Sequence, residues 1–120
     1  MGEHAGYHEP IDSLSAAVME RHRAIVSLQE ELEAVDWYDQ RVDATQDEAL
    51  RAVLAHNRDE EKEHAAMTLE WLRRNDTKWN EVLRTYLFTS APITEVEEAA
   101  EADGATPGGS PGDLRGEPPR

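Results

Sequence analysis

Two acids and an imidazole in this chain have the residue types and the spacing to hold a transition-metal ion. Glu61 and His64 stand three residues apart in Arg58-Asp59-Glu60-Glu61-Lys62-Glu63-His64-Ala65-Ala66-Met67-Thr68-Leu69-Glu70-Trp71-Leu72. The stretch reads as helix, because Leu50, Leu54, Ala65, Thr68 and Leu72 recur on one face. At roughly 100° per residue, Glu61 falls about 20° from the centre of that apolar stripe and His64 about 80° from it. A carboxylate in the middle of a packing face loses its water, at a cost of several kcal/mol unless a cation replaces the hydration. An imidazole one turn away points to a metal ion as that cation. Glu31, about 60° from Leu28 on the preceding helix, is the third candidate.

The elements that must position these groups are helices. The chain to about Glu9 is polar and expected to be loose. The first helix starts near Pro10, with Asp12 or Ser13 as alternative caps, and runs to about Val42. Its stripe is Leu14, Val18, Ile25, Leu28, Leu32, Val35 and Val42. Thr45-Gln46-Asp47-Glu48 has the form of a capping box, with Thr45 at the N-cap, so a second helix follows to about Arg74. The short connection predicts an antiparallel hairpin. Glu31 lies 13 residues before Ala44 and Glu61 lies 17 after it. The difference is about one turn, ~6 Å, which side chains of this length can bridge. Trp79, Val82, Leu83, Tyr86 and Leu87 mark a short amphipathic third helix, stopped by Pro92. Glu95 to Asp103 carries five acids and no base, and Gly104 to Arg120 is rich in Gly and Pro. Both are expected to be disordered. The expectation is an all-α chain with a flexible 1–9, a helical hairpin domain over 10–93 and a disordered 94–120.

The hairpin has more apolar surface than two helices can bury. Trp37 lies opposite the stripe of the first helix, and Met67 and Trp71 lie well off that of the second. Self-association resolves the surplus. Di-iron sites of helical bundles take one Glu from each of two helices and Glu-x-x-His from each of the other two. One copy of this chain supplies half of that set, so a two-fold dimer would complete it. Carboxylates suit hard iron, and imidazole adds an intermediate nitrogen donor. The bland alternatives are concrete. Glu30, Glu60 and Glu63 can be solvated faces, and Glu61 can pair with Arg58 or Arg51 on a neighbour. Glu30 and Glu33 beside Trp37 read as a solvated face before a weak cation site. His22 and His56 read as surface or interface residues, and Trp37, Met67 and Trp71 as packing. Tyr38 can bond a metal carboxylate or serve an interface.

Composition narrows the classes. The 120 residues carry a net charge of -14 with only 12 Lys and Arg, which disfavours nucleic acid. The chain has no cysteine, which excludes disulfides and cysteine-ligated zinc or iron–sulfur sites. No apolar run approaches the roughly 20 residues that span a bilayer, and no apolar signal core follows Met1. A soluble intracellular protein without a membrane partner is expected.

Beyond spacing, the wording of the chain is informative. Glu30-Glu31-Leu32-Glu33-Ala34-Val35-Asp36-Trp37-Tyr38, His56-Asn57, Glu60-Glu61-Lys62-Glu63-His64-Ala65, Met67-Thr68-Leu69-Glu70-Trp71 and Arg84-Thr85-Tyr86-Leu87-Phe88-Thr89 resemble the encapsulated ferritins. The likeness covers about residues 9 to 93. It implies half-ferritins that dimerise to build a ferroxidase centre, with the dimers joined in a homodecameric ring. On that likeness Glu31, Glu61 and His64 are the catalytic iron ligands of each subunit. Glu30 and Glu33 form an iron-entry site, and Trp37 and Tyr38 line or support the centre. The substrates are Fe(II) and dioxygen, and the mineral is stored inside a separate encapsulin shell in the bacterial cytoplasm. Cargo of this kind reaches its shell through a C-terminal peptide resembling Gly-Ser-Leu-x-Ile-Gly-Ser-Leu-Arg-Gly. Here the tail reads Gly109-Ser110-Pro111-Gly112-Asp113-Leu114-Arg115-Gly116. Gly112, Leu114, Arg115 and Gly116 match, but the upstream Leu and Ile are absent and Asp113 replaces Ser. Only Leu114 is left as an apolar anchor.

Overall fold

The structure is a computed structural model that describes residues 6–103. It is all-α: a 3-10 turn at Ile11–Ser13, then α1 (Ala16–Ala44), α2 (Glu48–Arg74), α3 (Thr77–Tyr86) and α4 (Ile93–Asp103). No described residue is in a strand, and no helix is long and apolar enough to cross a membrane. The chain divides into two compact units, Met1–Leu69 and Glu70–Arg120.

In the first unit, α1 begins later than its sequence suggests. Pro10 opens only the 3-10 turn, accepting at its carbonyl from the Ser13 N–H at 2.9 Å. Leu14 is extended, and the helix restarts beyond it with Ser15 as its cap, whose hydroxyl accepts from the Val18 N–H at 3.1 Å. Tyr7 stacks on the His22 ring with centroids 4.1 Å apart, and Gly6 at φ 81° turns the chain there. A Cβ on Gly6 would meet His22 Cε1 at 3.6 Å.

The α1–α2 turn is capped by Asp47, not Thr45. Thr45 is extended and closes α1, donating its N–H to the Arg41 carbonyl. Its hydroxyl accepts from the Asp47 N–H, and Asp47 Oδ1 accepts from the Leu50 N–H at 3.0 Å. Arg51 staples the turn: Nε donates to the Val42 carbonyl at 3.0 Å, and its other nitrogens reach the Thr45 carbonyl and Glu48.

The packing line of each helix has a heptad rhythm. On α1, Ala24, Leu28, Glu31, Val35, Tyr38 and Val42 are half-buried. On α2, Arg51, Leu54, Arg58, Glu61 and Thr68 are half-buried and Ala65 is buried. Both lists step by alternating threes and fours, the spacing of a coiled-coil seam. Arg58 donates to Asp39 at 2.9 Å and Thr68 to Glu31 at 3.1 Å, so α2 runs antiparallel to α1. Val18, Ile25 and Leu32, expected inside the stripe, are exposed. The seam has rotated toward Glu31 and away from them.

In the second unit, Asp76 caps α3 by accepting from the Trp79 N–H at 3.0 Å. Every residue from Trp79 to Tyr86 is half-buried, the expected Trp79, Val82, Leu83 and Tyr86 among them, while Leu87 falls beyond the helix end and is exposed. Beyond α3, Phe88 holds a φ of 65° and is 95% exposed. The acidic stretch expected to be disordered is helical as far as Asp103. Pro92 opens α4, its carbonyl accepting from the Glu95 and Val96 N–H groups. Val96 and Ala100, one turn apart, are its half-buried face. The tail from Gly104, including Gly109–Gly116, lies outside the described residues.

Glu70 accepts from Arg73 at 2.8 Å and from Arg74 at 2.6 Å. Hydrogen bonds from Arg73 come first, against partial burial, and those from Arg74 add to them, holding the carboxyl at about 2 instead of 4.5. A depressed carboxyl contributes stability above its unfolded value and loses it as pH falls toward its folded value. Acid titration of Glu70→Gln, followed by circular dichroism, is therefore expected to show a shallower loss of stability than wild type between about pH 4.5 and 2. The gap closes in high salt, because the site is open to solvent.

Candidate metal centre

Each proposed ligand sits where its helix is half-buried. Glu61, on the seam of α2, has a side chain 27% exposed, and His64 at the flank of the seam is 44% exposed. His64 Nδ1 lies 3.5 Å from Glu61 Oε1, and its Nε2 lies 3.9 Å from Glu60 Oε1. The i, i+3 pair is thus assembled within one chain, held by helical geometry alone.

The two arginines weighed as partners for Glu61 on a neighbouring copy both bond other groups within their own chain. Arg51 is spent on the turn. Arg58 binds Asp39 at 2.9 Å and Asp59 at 3.1 Å, and these bonds hold its guanidinium pKa above the ordinary arginine value. Among the described residues, His64 is the one side chain recorded in ion-pair geometry with Glu61, and it is charged only if protonated.

Glu31 is in the seam between Leu28 and Val35, not at the margin of a stripe. Its Oε1 accepts from Thr68 Oγ1 at 3.1 Å. Counting from the turn predicted that Glu31 would reach the ion held by Glu61 and His64; in the single chain it turns to Thr68, seven residues or ~10 Å of helix beyond Glu61. The cause is directional. Side chains lean toward the N-terminus of their own helix, so in an antiparallel pair Glu31 leans away from the turn and Glu61 toward it. Among the described residues, no three His, Asp or Glu side chains gather closely enough to share an ion.

Of the remaining candidates only Tyr38 is on the packing line. Glu30, Glu33 and Trp37 are exposed together on α1, away from the seam. Tyr38 is on the seam, with the Arg41 guanidinium 5.4 Å from its ring centre. His56 Nε2 is 3.8 Å from Glu60 on the surface. Thr68 was legible only as a member of an apolar stripe, and nothing in its spacing marks it as the partner of Glu31.

A family model described as EncFtn-like matches residues 6–90. The chain belongs to the EncFtn-like family. An "Encapsulated ferritin-like protein" of Rhodospirillum rubrum is 70% identical over 102 residues, 85% of this chain and 72% of that protein. A "Ferritin-like protein" of Thermotoga maritima is 57% identical over 88% of this chain and 93% of its own length. An "Encapsulin nanocompartment cargo protein EncC" of Myxococcus xanthus is 37% identical over 74% of this chain and 71% of its own. Among solved structures, protein ne0167 of Nitrosomonas europaea aligns with a TM-score of 0.71 and 61% identity, covering 73% of this chain and 97% of that one. The helical hairpin is thus the fold of an EncFtn-like protein.

Proposed function

We propose that this EncFtn-like chain is a ferroxidase, whose di-iron centre forms where two copies meet about a two-fold axis. One observation carries the reading. Glu61 is half-buried with His64 as the one side chain recorded against it, while Arg58 is engaged by Asp39 and Asp59, and Arg51 by the turn and Glu48. A desolvated carboxylate beside an imidazole has its lone pairs available to a metal ion. The opposite lean of Glu31 and Glu61 gives symmetry its use. A second copy turned end for end can bring its own Glu31 toward the Glu61–His64 pair that the first chain leaves without a third ligand. Two carboxylates and an imidazole per chain fit iron chemically.

Iron is the substrate: two Fe(II) ions each give one electron to dioxygen, which takes up two protons and leaves as hydrogen peroxide, and both ions depart as Fe(III). The chain's residues do the rest. Glu31, Glu61 and His64 bind and orient the ions, and exposed Glu30 and Glu33 beside Trp37 gather Fe(II) on the acidic outer face. Tyr38 backs the seam. Dimers join into a decameric ring, and the Fe(III) is mineralised within an encapsulin shell reached through the tail at Gly112–Gly116. The names of the relatives from Rhodospirillum rubrum and Myxococcus xanthus support a cargo role.

Native mass spectrometry with and without Fe(II) tests this directly. Even-numbered assemblies with one iron per chain are expected; iron on isolated monomers, or none at all, overturns the reading. Aerobic absorbance kinetics are expected to show Fe(III) forming well above the protein-free rate. Efficient peroxide turnover without Fe(II) oxidation would instead mark a different di-metal oxidase or peroxidase.

A further inference from the structure

We infer that Thr68 is a positioning residue that fixes the Glu31 carboxylate for metal binding. The inference rests on the proposed role of Glu31 as a ligand and adds the group that aims it. Glu31 is half-buried in the seam, and its one recorded partner among the described residues is a neutral hydroxyl. Most other acids with a recorded side-chain partner pair with a charged or chargeable group: Glu20 with Arg23, Asp39 with Arg58, Glu48 with Arg51, Glu61 with His64, Glu70 with Arg73. Asp36, which accepts from the Gln40 amide at 3.2 Å, also has a neutral partner, but it is exposed and its bond stays within α1, whereas that of the half-buried Glu31 crosses to α2. A single O–H bond immobilises a carboxylate without neutralising it. It occupies one lone pair of Oε1 and leaves Oε2 and the negative charge for a cation.

The hydroxyl has a second acceptor within reach. Thr68 Oγ1 also lies 3.1 Å from the backbone carbonyl of His64, one turn back on α2. It carries one proton and can serve only one oxygen at a time. When it bonds Glu31 the carboxylate is held at the height of Thr68. A cation taken up at Oε2 leaves that bond in place; whenever the Glu31 side chain moves away, the hydroxyl turns to the His64 carbonyl and no buried donor is stranded. The same hydroxyl thus touches the side chain of one ligand and the backbone of another. A β-branched Thr in a helix is confined to two χ1 rotamers, so little side-chain entropy is lost in holding the bond. Hydrogen-bonded partners of metal ligands set ligand orientation, and their loss costs about 10–100-fold in metal affinity.

The test uses the full chain in its assembled state, titrated with redox-inert Zn(II) in a calorimeter. Thr68→Val keeps shape and volume but removes the proton; it is expected to weaken Zn(II) binding by about tenfold or more. Thr68→Ser restores the hydroxyl and is expected to restore wild-type affinity. On a Glu31→Gln background, already weakened, Thr68→Val is expected to add nothing, since the two act through one bond. Wild-type affinity in Thr68→Val overturns the inference, as does a Thr68→Ser protein as weak as Thr68→Val, which would assign the effect to the methyl group. If Glu31→Gln itself binds Zn(II) like wild type, Glu31 is not a ligand and the proposed centre falls as well. If Glu31→Gln is weakened and Thr68→Val is not, the role of Thr68 alone falls.

Discussion

Glu61→Ala is expected to lower the rate of aerobic Fe(II) oxidation at least about 100-fold while leaving the apo-protein as stable as wild type or more so. The first half follows from what Glu61 supplies: losing a mere hydrogen-bond partner of a ligand costs up to about 100-fold in affinity or activity, and losing the ligand costs no less. The second half follows from where Glu61 sits. It is a carboxylate half-buried on a packing seam, and the imidazole beside it is charged only if protonated. Replacing a desolvated, poorly compensated charge by a small apolar side chain is neutral or stabilising for the fold. Opposite signs for stability and activity separate a ligand from a structural acid, because a structural acid loses both. Glu31→Ala is expected to follow the same pattern, and His64→Ala to lose activity equally but with some loss of stability, because Glu61 is left without its recorded partner. Glu20→Ala, which removes a solvated pair with Arg23, is the control that changes neither. Near-ultraviolet absorbance after mixing with Fe(II), set beside apo-protein melting curves, reads both quantities. Wild-type oxidation rates in all three ligand variants would remove the centre from these residues.

The pair at the heart of the site was legible because it lies within one helix. The i, i+3 spacing of Glu61 and His64 fixes their separation whatever the rest of the chain does. Glu31 was legible as a candidate but not in its placement, which depends on which face of α1 turns to α2. That helix carries apolar residues on more than one line, so periodicity alone cannot tell the line that packs within the chain from one that does not. Val18, Ile25 and Leu32 were assigned inward and are exposed, while Glu31 and Tyr38 take their place on the seam. The turn shows a similar ambiguity in miniature. Thr45 and Asp47 both satisfy N-cap preferences, and the chain resolves it by spending Thr45 on the end of α1. Beyond Pro92 an acid run without bases resembled a solvated tail. Val96 and Ala100, one turn apart, give it the half-buried face that a helix requires. Thr68 was invisible as anything but packing, since its role is a bond to a residue 37 positions away.

Charging the exposed apolar line of α1 is expected to abolish both assembly and Fe(II) oxidation. Val18, Ile25 and Leu32 recur every seven residues, so they form one nearly straight line ~21 Å long. All three are exposed, and among the described residues only Ala65 and Leu72 are buried hydrophobics. A chain with so little core gains its apolar burial by association, at roughly 1.5–3 kcal/mol for each large side chain covered. About a two-fold axis each residue counts twice, so Val18→Glu with Ile25→Glu places four carboxylates where four apolar side chains were. Desolvating them costs several kcal/mol each, more than the rest of such a patch returns. The substitutions lie six and 13 residues before Glu31, ~9 and ~20 Å away along the helix, and neither touches a proposed ligand. Any loss of oxidation in this variant therefore comes through assembly. Size-exclusion chromatography with light scattering is expected to show monomers, circular dichroism to show retained helix, and Fe(II) oxidation to fall to the protein-free rate. A monomer that still oxidises iron at the wild-type rate would mean that one chain holds a complete centre. An unchanged oligomer would move the shared axis to another face, with Trp37 and Met67, two of the other large exposed side chains of the first unit, next to be charged.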